Sequence, residues 1–221
     1  VPYQGTELEN LGKGDGYCRR QVEGWDARFE KAKTINVPSF KYVRKWLEDN
    51  IPADSKTCLI HNDWRFDNVI LDPNHPTQII GVLDWEMATL GDPLMDLGSA
   101  LAYWVEESDS ALFKATRRQP TNLKGMFTRK EVVDYYLEKT GLEVENWTFY
   151  EVFGIFRLAV IAQQIYYRYH HKQTNNPAFK DFWILIHALH IRALKLIGLQ
   201  KIEANEVAQK YIVKMKEILG K

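Results

Sequence analysis

Apolar residues recur at helical spacing along most of this chain. From Tyr17 onward they follow one another at intervals of four and three residues, which places one set on a single helix face: Cys18, Val22, Trp25, Phe29 and Ala32. Similar spacing predicts further helices within residues 40–51, 94–105, 128–141, 146–172, 176–198 and 207–218. Thr128 and Glu131 form a capping-box pattern, and Gly141 is placed to end that helix. The pattern predicts a mainly α-helical protein.

Two segments depart from this helical pattern. The apolar runs 69–71 and 79–83 contain β-branched residues and are separated by turn-forming residues, which predicts a β-hairpin. A polar loop, 63–68, precedes its first strand, and Asp84 follows its second. Because antiparallel strands bring their outer ends together, we expect this loop and Asp84 to meet in space. Charged residues with a proline and a glycine predict a solvated, mobile connection at 106–127.

Composition and charge narrow the class of protein. The chain has 221 residues, of which 45% are hydrophobic and 13% aromatic, enough for a sizeable core in one domain or two small ones. The formal net charge is zero, so no field of one sign points to nucleic acid or to an anionic membrane. The most apolar stretch, 182–199, carries histidine and basic side chains and is expected to be a core helix rather than a membrane span.

The two cysteines give an expectation about the compartment. Cys18 and Cys58 lie far apart in the sequence and in apolar settings, so we expect two buried thiols rather than a disulfide. Free thiols fit a reducing environment, and no signal-peptide pattern is present. A cytoplasmic location is therefore expected, whereas the oligomeric state is left open.

The polar loop and Asp84 contain the residue types that phosphoryl transfer requires. This reaction needs a base near the accepting hydroxyl, oxygen ligands for magnesium, and fixed positive charge near the moving phosphoryl group. Asp63 is the candidate base, and Asn68 and Asp84 are the candidate magnesium ligands. Arg65 is placed to neutralise charge on the transferred group. His61 is expected to hold the loop by hydrogen bonds rather than to catalyse.

Structural interpretations compete with these assignments. A lone His-x-Asp sequence is most often a loop cap, and an aspartate after an apolar strand is often a helix cap. Asp92 precedes Pro93 and is expected to cap the next helix, and Asp96 lies in the first turn of that helix, where it suits the helix dipole. A metal-dependent hydrolase built on His61 and Asp63 is a further alternative, but histidines at ligand spacing are lacking.

Three motifs resemble those of the aminoglycoside phosphotransferase and choline kinase family, which is similar to protein kinases. They are His61-Asn62-Asp63-x-x-x-x-Asn68, Asp84-Trp85-Glu86 and Gly91-Asp92-Pro93-x-x-Asp96-Leu97. The resemblance implies that Asp63 is the catalytic base, that Asn68 and Asp84 bind Mg²⁺, and that ATP is the phosphoryl donor. Asn62 stands where this family more often has glycine, and Arg65 where protein kinases have lysine. Structural support is assigned to four further residues of these motifs: His61, Glu86, Asp92 and Asp96.

A narrower resemblance concerns the flanking sequence. Gly16-Tyr17-Cys18-x-Arg20-Gln21-Val22 and the Trp85-Glu86 pair resemble the phosphotransferase domains that are fused to acyl-CoA dehydrogenase-like domains. The implied fold is the helical C-terminal lobe of a protein-kinase-like fold, with an inserted β-hairpin that carries the catalytic loop. This fold is mainly α, or α+β overall.

The resemblance covers residues 17–221, which we expect to form the kinase-like C-terminal lobe. Residues 1–16 are expected to be a linker from a missing N-terminal lobe, because the 62 residues before Asp63 contain no strand-rich segment. The glycine-rich stretch 12–16 follows no apolar strand and is expected to be a loop rather than a phosphate-binding loop. Since residue 1 is Val, we expect a part of a longer protein, inactive without the missing lobe.

The acceptor is less well defined than the reaction. In the resembling family it lies between the catalytic loop and the C-terminal helices, so Arg157 and Gln163 are expected either to contact substrate or to satisfy buried groups. Balanced charge argues against a polycationic aminoglycoside and leaves a sugar, an amino alcohol or a hydroxyacyl compound open. The sequence predicts an ATP-dependent phosphotransferase for a hydroxyl of a small metabolite. The alternative is a non-catalytic nucleotide- or ligand-binding regulatory module.

Overall fold

Helices dominate the fold. A computed structural model describes residues 3–199, and within that range the helices are α1 (Tyr17–Ala32), α2 (Lys41–Asp49), α3 (Pro93–Ala102), α4 (Ala111–Thr116), α5 (Arg129–Thr140), α6 (Trp147–His170) and α7 (Phe182–Leu196). The strands are β1 (Cys58–Ile60), β2 (Val69–Leu71), β3 (Ile79–Val82) and β4 (Thr89–Gly91). The prediction of a mainly helical lobe with an inserted hairpin is confirmed.

Helix α6 forms the centre of the helical core. It packs against α1, α2, α3 and α7, and six consecutive residues of it, 152–157, are buried. Aromatic side chains of α1, α6 and the start of α2 form one cluster: Phe29, Phe40, Phe149, Phe153 and Phe156. A helix that is apolar on all sides is stable inside such a bundle. The apolar pattern at 146–172 therefore predicted the position of α6 to within two residues at each end.

Two glycines allow α3 and α6 to approach closely. A Cβ atom added at Gly154 would lie 2.1 Å from the carbonyl oxygen of Gly98, and one added at Gly98 would lie 2.3 Å from the carbonyl oxygen of Tyr150. Both distances are far inside van der Waals contact. Neither position accepts a side chain unless a backbone moves, so this contact fixes α3 against the core.

Two antiparallel strand pairs frame the polar loop. Strands β2 and β3 form the predicted hairpin, with Val69 opposite Val82. Strand β1 pairs with β4, with Leu59 opposite Leu90, a pairing that the sequence did not predict. Because one pair is nested inside the other, the connection from β1 to β2 and the connection from β3 to β4 lie side by side.

Most residues of the predicted solvated connection at 106–127 are exposed, as expected, but part of the segment is folded and held by specific contacts. Helix α4 lies within it, and Gln119 and Thr121 are buried. The side chain of Arg129 donates hydrogen bonds to the Asp109 carboxylate at 2.7 and 3.0 Å, and it pairs with Glu106 at 3.2 Å. The acidic residues that suggested solvent exposure are therefore neutralised by an arginine about twenty positions further along the chain.

Two helix boundaries differ slightly from expectation. Helix α3 ends at Ala102 rather than near residue 105, and Pro177–Phe179 forms a separate 3-10 turn before α7. In the lead-in, the Leu11 carbonyl accepts a hydrogen bond from the Thr89 hydroxyl at 2.7 Å. The assignment of 1–16 as an interlobe linker stays a prediction. The helix predicted at 207–218 lies outside the described residues.

Among residues 3–199, none of the helices combines the length and the apolar character needed to traverse a bilayer.

Candidate active site

The polar loop after β1 brings Asp63, Arg65 and Asn68 together. The Asn68 side-chain amide donates to the backbone carbonyl of Asp63 at 2.7 Å and to its carboxylate at 3.1 Å. The Arg65 guanidinium donates to the same carboxylate oxygen at 3.2 Å. The carboxylate of Asp63 is only partly buried, so it stays open to a ligand while two donors fix its direction.

The ring of His61 holds the loop from inside. Its Nδ1 accepts from the Asp63 backbone N–H at 3.2 Å, so Nε2 carries the proton and donates to the Leu83 carbonyl at 2.7 Å. The ring also lies 4.8 Å from the Trp85 ring, centroid to centroid. His61 thus ties the loop to the end of β3, which is the geometry of a scaffold residue.

Asp84 follows β3 next to the same loop. The Leu83 N–H donates to the Asn68 carbonyl at 2.8 Å, which places the start of the next turn beside Asn68. Asp84 has a left-handed backbone, with φ of +62°. Its carboxylate is exposed and forms no hydrogen bond or ion pair with another residue of 3–199.

Asn68 and Asp84 fit a divalent hard cation by the chemistry of their donors. Both hydrogen bonds of the Asn68 side chain use its Nδ2, so its Oδ1 is left as a free carbonyl-type oxygen. Asp84 adds an unpaired carboxylate. Magnesium prefers such oxygen ligands and usually keeps several waters, so two protein ligands and nucleotide phosphates suffice.

Two acids at the start of α3 support the site. Asp92 caps the helix by accepting from the backbone N–H groups of Leu94 at 2.8 Å and Met95 at 3.1 Å. Asp96, one turn later, accepts from the backbone N–H groups of His61 at 2.8 Å and Asn62 at 3.0 Å. Burial raises the pKa of Asp96, and the two backbone hydrogen bonds oppose that shift.

The remaining predicted residues, Glu86, Arg157 and Gln163, lie at different distances from the polar loop. Glu86 is exposed and forms no hydrogen bond or ion pair within residues 3–199. Arg157 donates to the Asn62 carbonyl at 2.8 Å and therefore contacts the loop itself. Gln163 is fully buried and donates to the Ala32 carbonyl at 2.7 Å. The structure does not bring Gln163 to the site, and its side chain instead satisfies the end of α1.

The sequence interpretation missed several residues that hold the loop. Gln119 is buried, and its side-chain oxygen accepts from the Phe66 N–H at 2.9 Å across 53 positions of sequence. Asn62, which stands where the resembling family more often has glycine, contacts Tyr17 and Met87 through its side chain. No local pattern marks Gln119. The departure from glycine at Asn62 is visible in the sequence, but it does not indicate which residues the side chain contacts.

A cavity of about 400 Å³ opens beside the loop. His61, Trp64 and Arg65, which flank Asp63 in sequence, line it on one side. The other walls are mostly apolar and aromatic, and they come from α3, the residues after it, and α5: Leu97, Leu101, Trp104, Val132 and Tyr136. Among described residues, Asp96 is the one acid in the lining, and both of its oxygens bond backbone N–H groups.

Comparison with known proteins gives sequence matches to members of the acyl-CoA dehydrogenase family. Acyl-CoA dehydrogenase family member 10 of Mus musculus is 36% identical over 170 residues, covering 76% of this chain and 16% of that protein. Acyl-CoA dehydrogenase family member 11 of Homo sapiens is 33% identical over 170 residues, covering 75% of this chain and 21% of that protein. The chain thus spans less than a quarter of the length of these relatives.

The structural and family matches agree with each other. A crystal structure from Ralstonia eutropha JMP134, assigned as an aminoglycoside phosphotransferase, superimposes with a TM-score of 0.76 at 27% identity. The superposition covers 89% of this chain and 60% of that chain. Residues 1–131 match the profile of the phosphotransferase enzyme family known as APH. The chain therefore belongs to the APH phosphotransferase enzyme family and is similar to the corresponding part of the acyl-CoA dehydrogenase family members.

Proposed function

We propose that this chain carries the catalytic and acceptor-binding part of an ATP-dependent phosphotransferase that acts on a hydroxyl group of a small metabolite. The observation that supports this most directly is the arrangement of Asp63, Asn68 and Arg65. One carboxylate is oriented by two donors, and it stands beside an amide oxygen and an unpaired acid, Asp84, that are left for a cation.

In the proposed reaction, the acceptor oxygen attacks the γ-phosphorus of ATP while the bond to the β–γ bridging oxygen breaks and ADP leaves. Asp63 accepts the proton of the attacking hydroxyl. The Arg65 guanidinium donates to Asp63 and Arg65 lines the cavity, so its positive charge would lie near the anionic oxygens of the transferred group. Magnesium held by Asn68 and Asp84 would neutralise charge on the nucleotide phosphates.

The cavity supports a small metabolite rather than an aminoglycoside as acceptor. A polycation requires acidic side chains, whereas the one acid in the lining, among described residues, is committed to loop backbone. Aromatic walls and the nearby guanidinium of Arg65 favour a neutral or anionic hydroxyl compound with an apolar part.

The wider setting is part of the same proposal. The nucleotide's adenine pocket and phosphate-binding lysine would come from an N-terminal lobe outside this chain. Cys18 and Cys58 are free thiols, which supports a reducing, cytoplasmic setting. The balanced charge supports neither nucleic acid nor a membrane surface as a partner.

Replacement of Asp63 by asparagine tests the proposal. In the full-length protein, magnesium-dependent ATP consumption would be measured with a panel of hydroxyl compounds. We expect Asp63→Asn to lower turnover by about 10²–10⁴-fold, the usual contribution of a general base. Thermal stability should be nearly unchanged, because the asparagine keeps the oxygen that Asn68 and Arg65 bind.

Asp49→Asn, an exposed change on α2, is the matched control and should leave turnover unchanged. Equal turnover in Asp63→Asn and wild type would contradict the assignment of the base. Nucleotide binding by calorimetry without any turnover of the panel would support the non-catalytic regulatory module instead.

A further inference from the structure

Asn62 adopts a backbone conformation that glycine adopts more easily. Its φ is +64°, in the left-handed region that most side chains avoid. Glycine meets no steric penalty there. An asparagine at this position therefore points to a use for its side chain.

The side-chain amide of Asn62 joins two other segments of the chain. Its Nδ2 donates to the Met87 carbonyl at 3.1 Å, and its Oδ1 accepts from the Tyr17 hydroxyl at 3.1 Å. A carbonyl only accepts, which fixes the orientation of the amide. Burial raises the pKa of Tyr17 to about 12, so its hydroxyl keeps the proton that it donates to Asn62 at neutral pH.

The main chain of Asn62 is anchored independently of its side chain. The N–H donates to the Asp96 carboxylate at 3.0 Å, and the carbonyl accepts from Arg157 at 2.8 Å. These bonds attach the loop to α3 and α6. A glycine at position 62 would keep both anchors and the left-handed backbone, and it would lose only the bonds to Tyr17 and Met87.

The bond to Met87 reaches the turn that follows the second candidate metal ligand. Trp85–Met87 forms a single 3-10 turn directly after Asp84. Asn62 in turn directly precedes Asp63. The amide therefore bridges the two segments whose relative position decides how far the base stands from the carboxylate of Asp84.

We propose that Asn62 is a positioning residue that holds the turn after Asp84 against the catalytic loop and so strengthens divalent-cation binding by Asn68 and Asp84. This inference rests on the proposed function for the identity of the cation site. A glycine at position 62 lacks the side chain that links the turn after Asp84 to the loop, so it cannot take this role.

Asn62→Gly in the full-length protein is the discriminating variant, because it removes the side-chain bridge and keeps the backbone. Asn62→Asp tolerates the same backbone but places a carboxylate oxygen against the Met87 carbonyl, which repels it. Asn74→Gly, in the exposed turn between β2 and β3, is the matched control for an asparagine-to-glycine change.

The measurement is Mn²⁺ affinity by electron paramagnetic resonance in the presence of a non-hydrolysable ATP analogue. We expect Asn62→Gly to weaken Mn²⁺ binding about fivefold, as for the loss of one or two net hydrogen bonds, and Asn62→Asp to weaken it more. Asn74→Gly should match wild type. In turnover assays the Mg²⁺ requirement should rise by the same factor, whereas kcat at saturating Mg²⁺ should fall less.

The outcomes separate this inference from the proposed function. Unchanged Mn²⁺ affinity in Asn62→Gly would overturn the inference even if the wild type transfers phosphate. A wild type that binds no Mn²⁺ would overturn it as well. A wild type that binds Mn²⁺ but phosphorylates nothing would contradict the proposed function alone, because the affinity comparison still reports on the bridge.

Tyr17→Phe keeps the inference testable if the Asn62 variants do not fold. It removes one of the two side-chain bonds of Asn62 and leaves the bond to Met87 in place. We expect a smaller weakening of Mn²⁺ binding, about twofold. An affinity equal to that of wild type would count against the bridge.

Discussion

Single residues that take no part in bond making hold the catalytic loop in place. Asp96 is the clearest case, because its two oxygens accept the N–H groups of His61 and Asn62, the residues directly before Asp63. A charged acceptor makes stronger hydrogen bonds than a neutral one and leaves no donor facing the loop. Asp96 therefore fixes the backbone directly before Asp63, the proposed base, and makes no hydrogen bond to Asp63 itself.

Asp96→Asn should lower turnover strongly and thermal stability only slightly. The amide offers only one acceptor oxygen, and its NH₂ would face one of the loop N–H groups, so the loop should shift. Small misplacement of a catalytic group lowers rate by about 10²-fold, and we expect a loss of that order in kcat with little change in KM for ATP. Steady-state kinetics and a thermal melt check this.

Asp72→Asn provides the matched control for Asp96→Asn. Asp72 also accepts two backbone N–H groups, those of Asn74 at 2.7 Å and His75 at 3.1 Å, but in the exposed hairpin turn. Both bonds of Asp72 use its Oδ1, an oxygen that asparagine keeps, so this control should retain its local structure and wild-type kcat. Equal kcat losses in both variants would mean that Asp96 acts on global stability rather than on the loop.

The sequence predicted which loop residues lie together better than it predicted the residues that support them. Asp63, Arg65 and Asn68 lie within six positions, so their spacing in the loop already restricted how they meet. Gln119 reaches Phe66 across 53 positions, and Gln163 turned inward to the Ala32 carbonyl. Which side of a buried helix faces a neighbour depends on tertiary packing, and one-dimensional spacing does not contain it.

Helices α3 and α6 approach each other so closely that a Cβ atom added at Gly98 or Gly154 would overlap the other helix. Both Gly98 and Gly154 face a backbone carbonyl of the other helix, and rigid backbone atoms do not move aside as a flexible side chain does. The N-terminus of α3 carries Asp92 and Asp96, so displacement of this helix would move the supports of the loop as well.

Gly154→Ala should destabilise the protein by about 3 kcal/mol, near the upper end for overpacking in a core. Gly24→Ala, in the middle of α1, is the matched control, because a Cβ there would meet only the Arg28 guanidinium at 3.9 Å. It should stabilise the helix by about 0.5–1 kcal/mol, since alanine loses less backbone entropy than glycine. Urea denaturation measures both, and similar free energies for the two variants would contradict the close contact.

The segment between α3 and α5 depends on the ion pairs of Arg129. Burial opposes the charged form of Asp109, but the hydrogen bonds and charge of Arg129 outweigh it and hold the pKa of Asp109 below its usual range. A depressed folded-state pKa means that the stabilisation is present above the unfolded pKa of about 3.9. It is lost as the pH falls through the lower, folded value.

Asp109→Asn should therefore destabilise the protein in a pH-dependent way. We expect a decrease of about 2 kcal/mol in the free energy of unfolding at pH 7, as for a charged hydrogen bond. The difference from wild type should shrink below a pH of about 4. Urea denaturation between pH 7 and pH 3 measures it. Asp134→Asn breaks an exposed pair with Lys130 and should show less than about 0.5 kcal/mol at every pH.

Element prediction from sequence succeeded where the information was local. The apolar face of α1 and the capping box at Thr128 are encoded within one or two turns, and both were correct. The pairing of β1 with β4 was not predicted, because each strand has only three residues and is a strand only by virtue of its hydrogen-bonded partner. The ion pairs of Arg129 were not predicted for a related reason. The sequence of a run of acidic residues is the same whether those residues face water or a distant arginine.

In the molecule as a whole, the cavity is assembled from separate parts of the chain. The loop, β1, α3 and α5 each contribute a wall, and none of them forms a pocket alone. Trp104 lies where these parts meet. Its ring packs edge-on against Phe66 at 5.5 Å, and its Nε1–H donates to the Phe127 carbonyl at 2.8 Å. An acceptor with an apolar part would therefore be recognised by shape and aromatic surface rather than by charge.

Trp104→Ala should weaken acceptor binding without affecting the nucleotide. Loss of an aromatic wall removes apolar contact area, and we expect the KM of an apolar hydroxyl acceptor to rise about tenfold, whereas the KM for ATP stays constant. Trp104→Phe keeps most of the aromatic surface but loses the bond to Phe127, so it should recover most of the affinity.

Leu123→Ala, a change at a side chain that is 60% exposed, is the surface control. An unchanged KM for the acceptor would place it outside this cavity, and an equal rise in both KM values would indicate a general loss of structure. A Trp104→Phe variant as impaired as Trp104→Ala would instead assign the effect to the Phe127 bond.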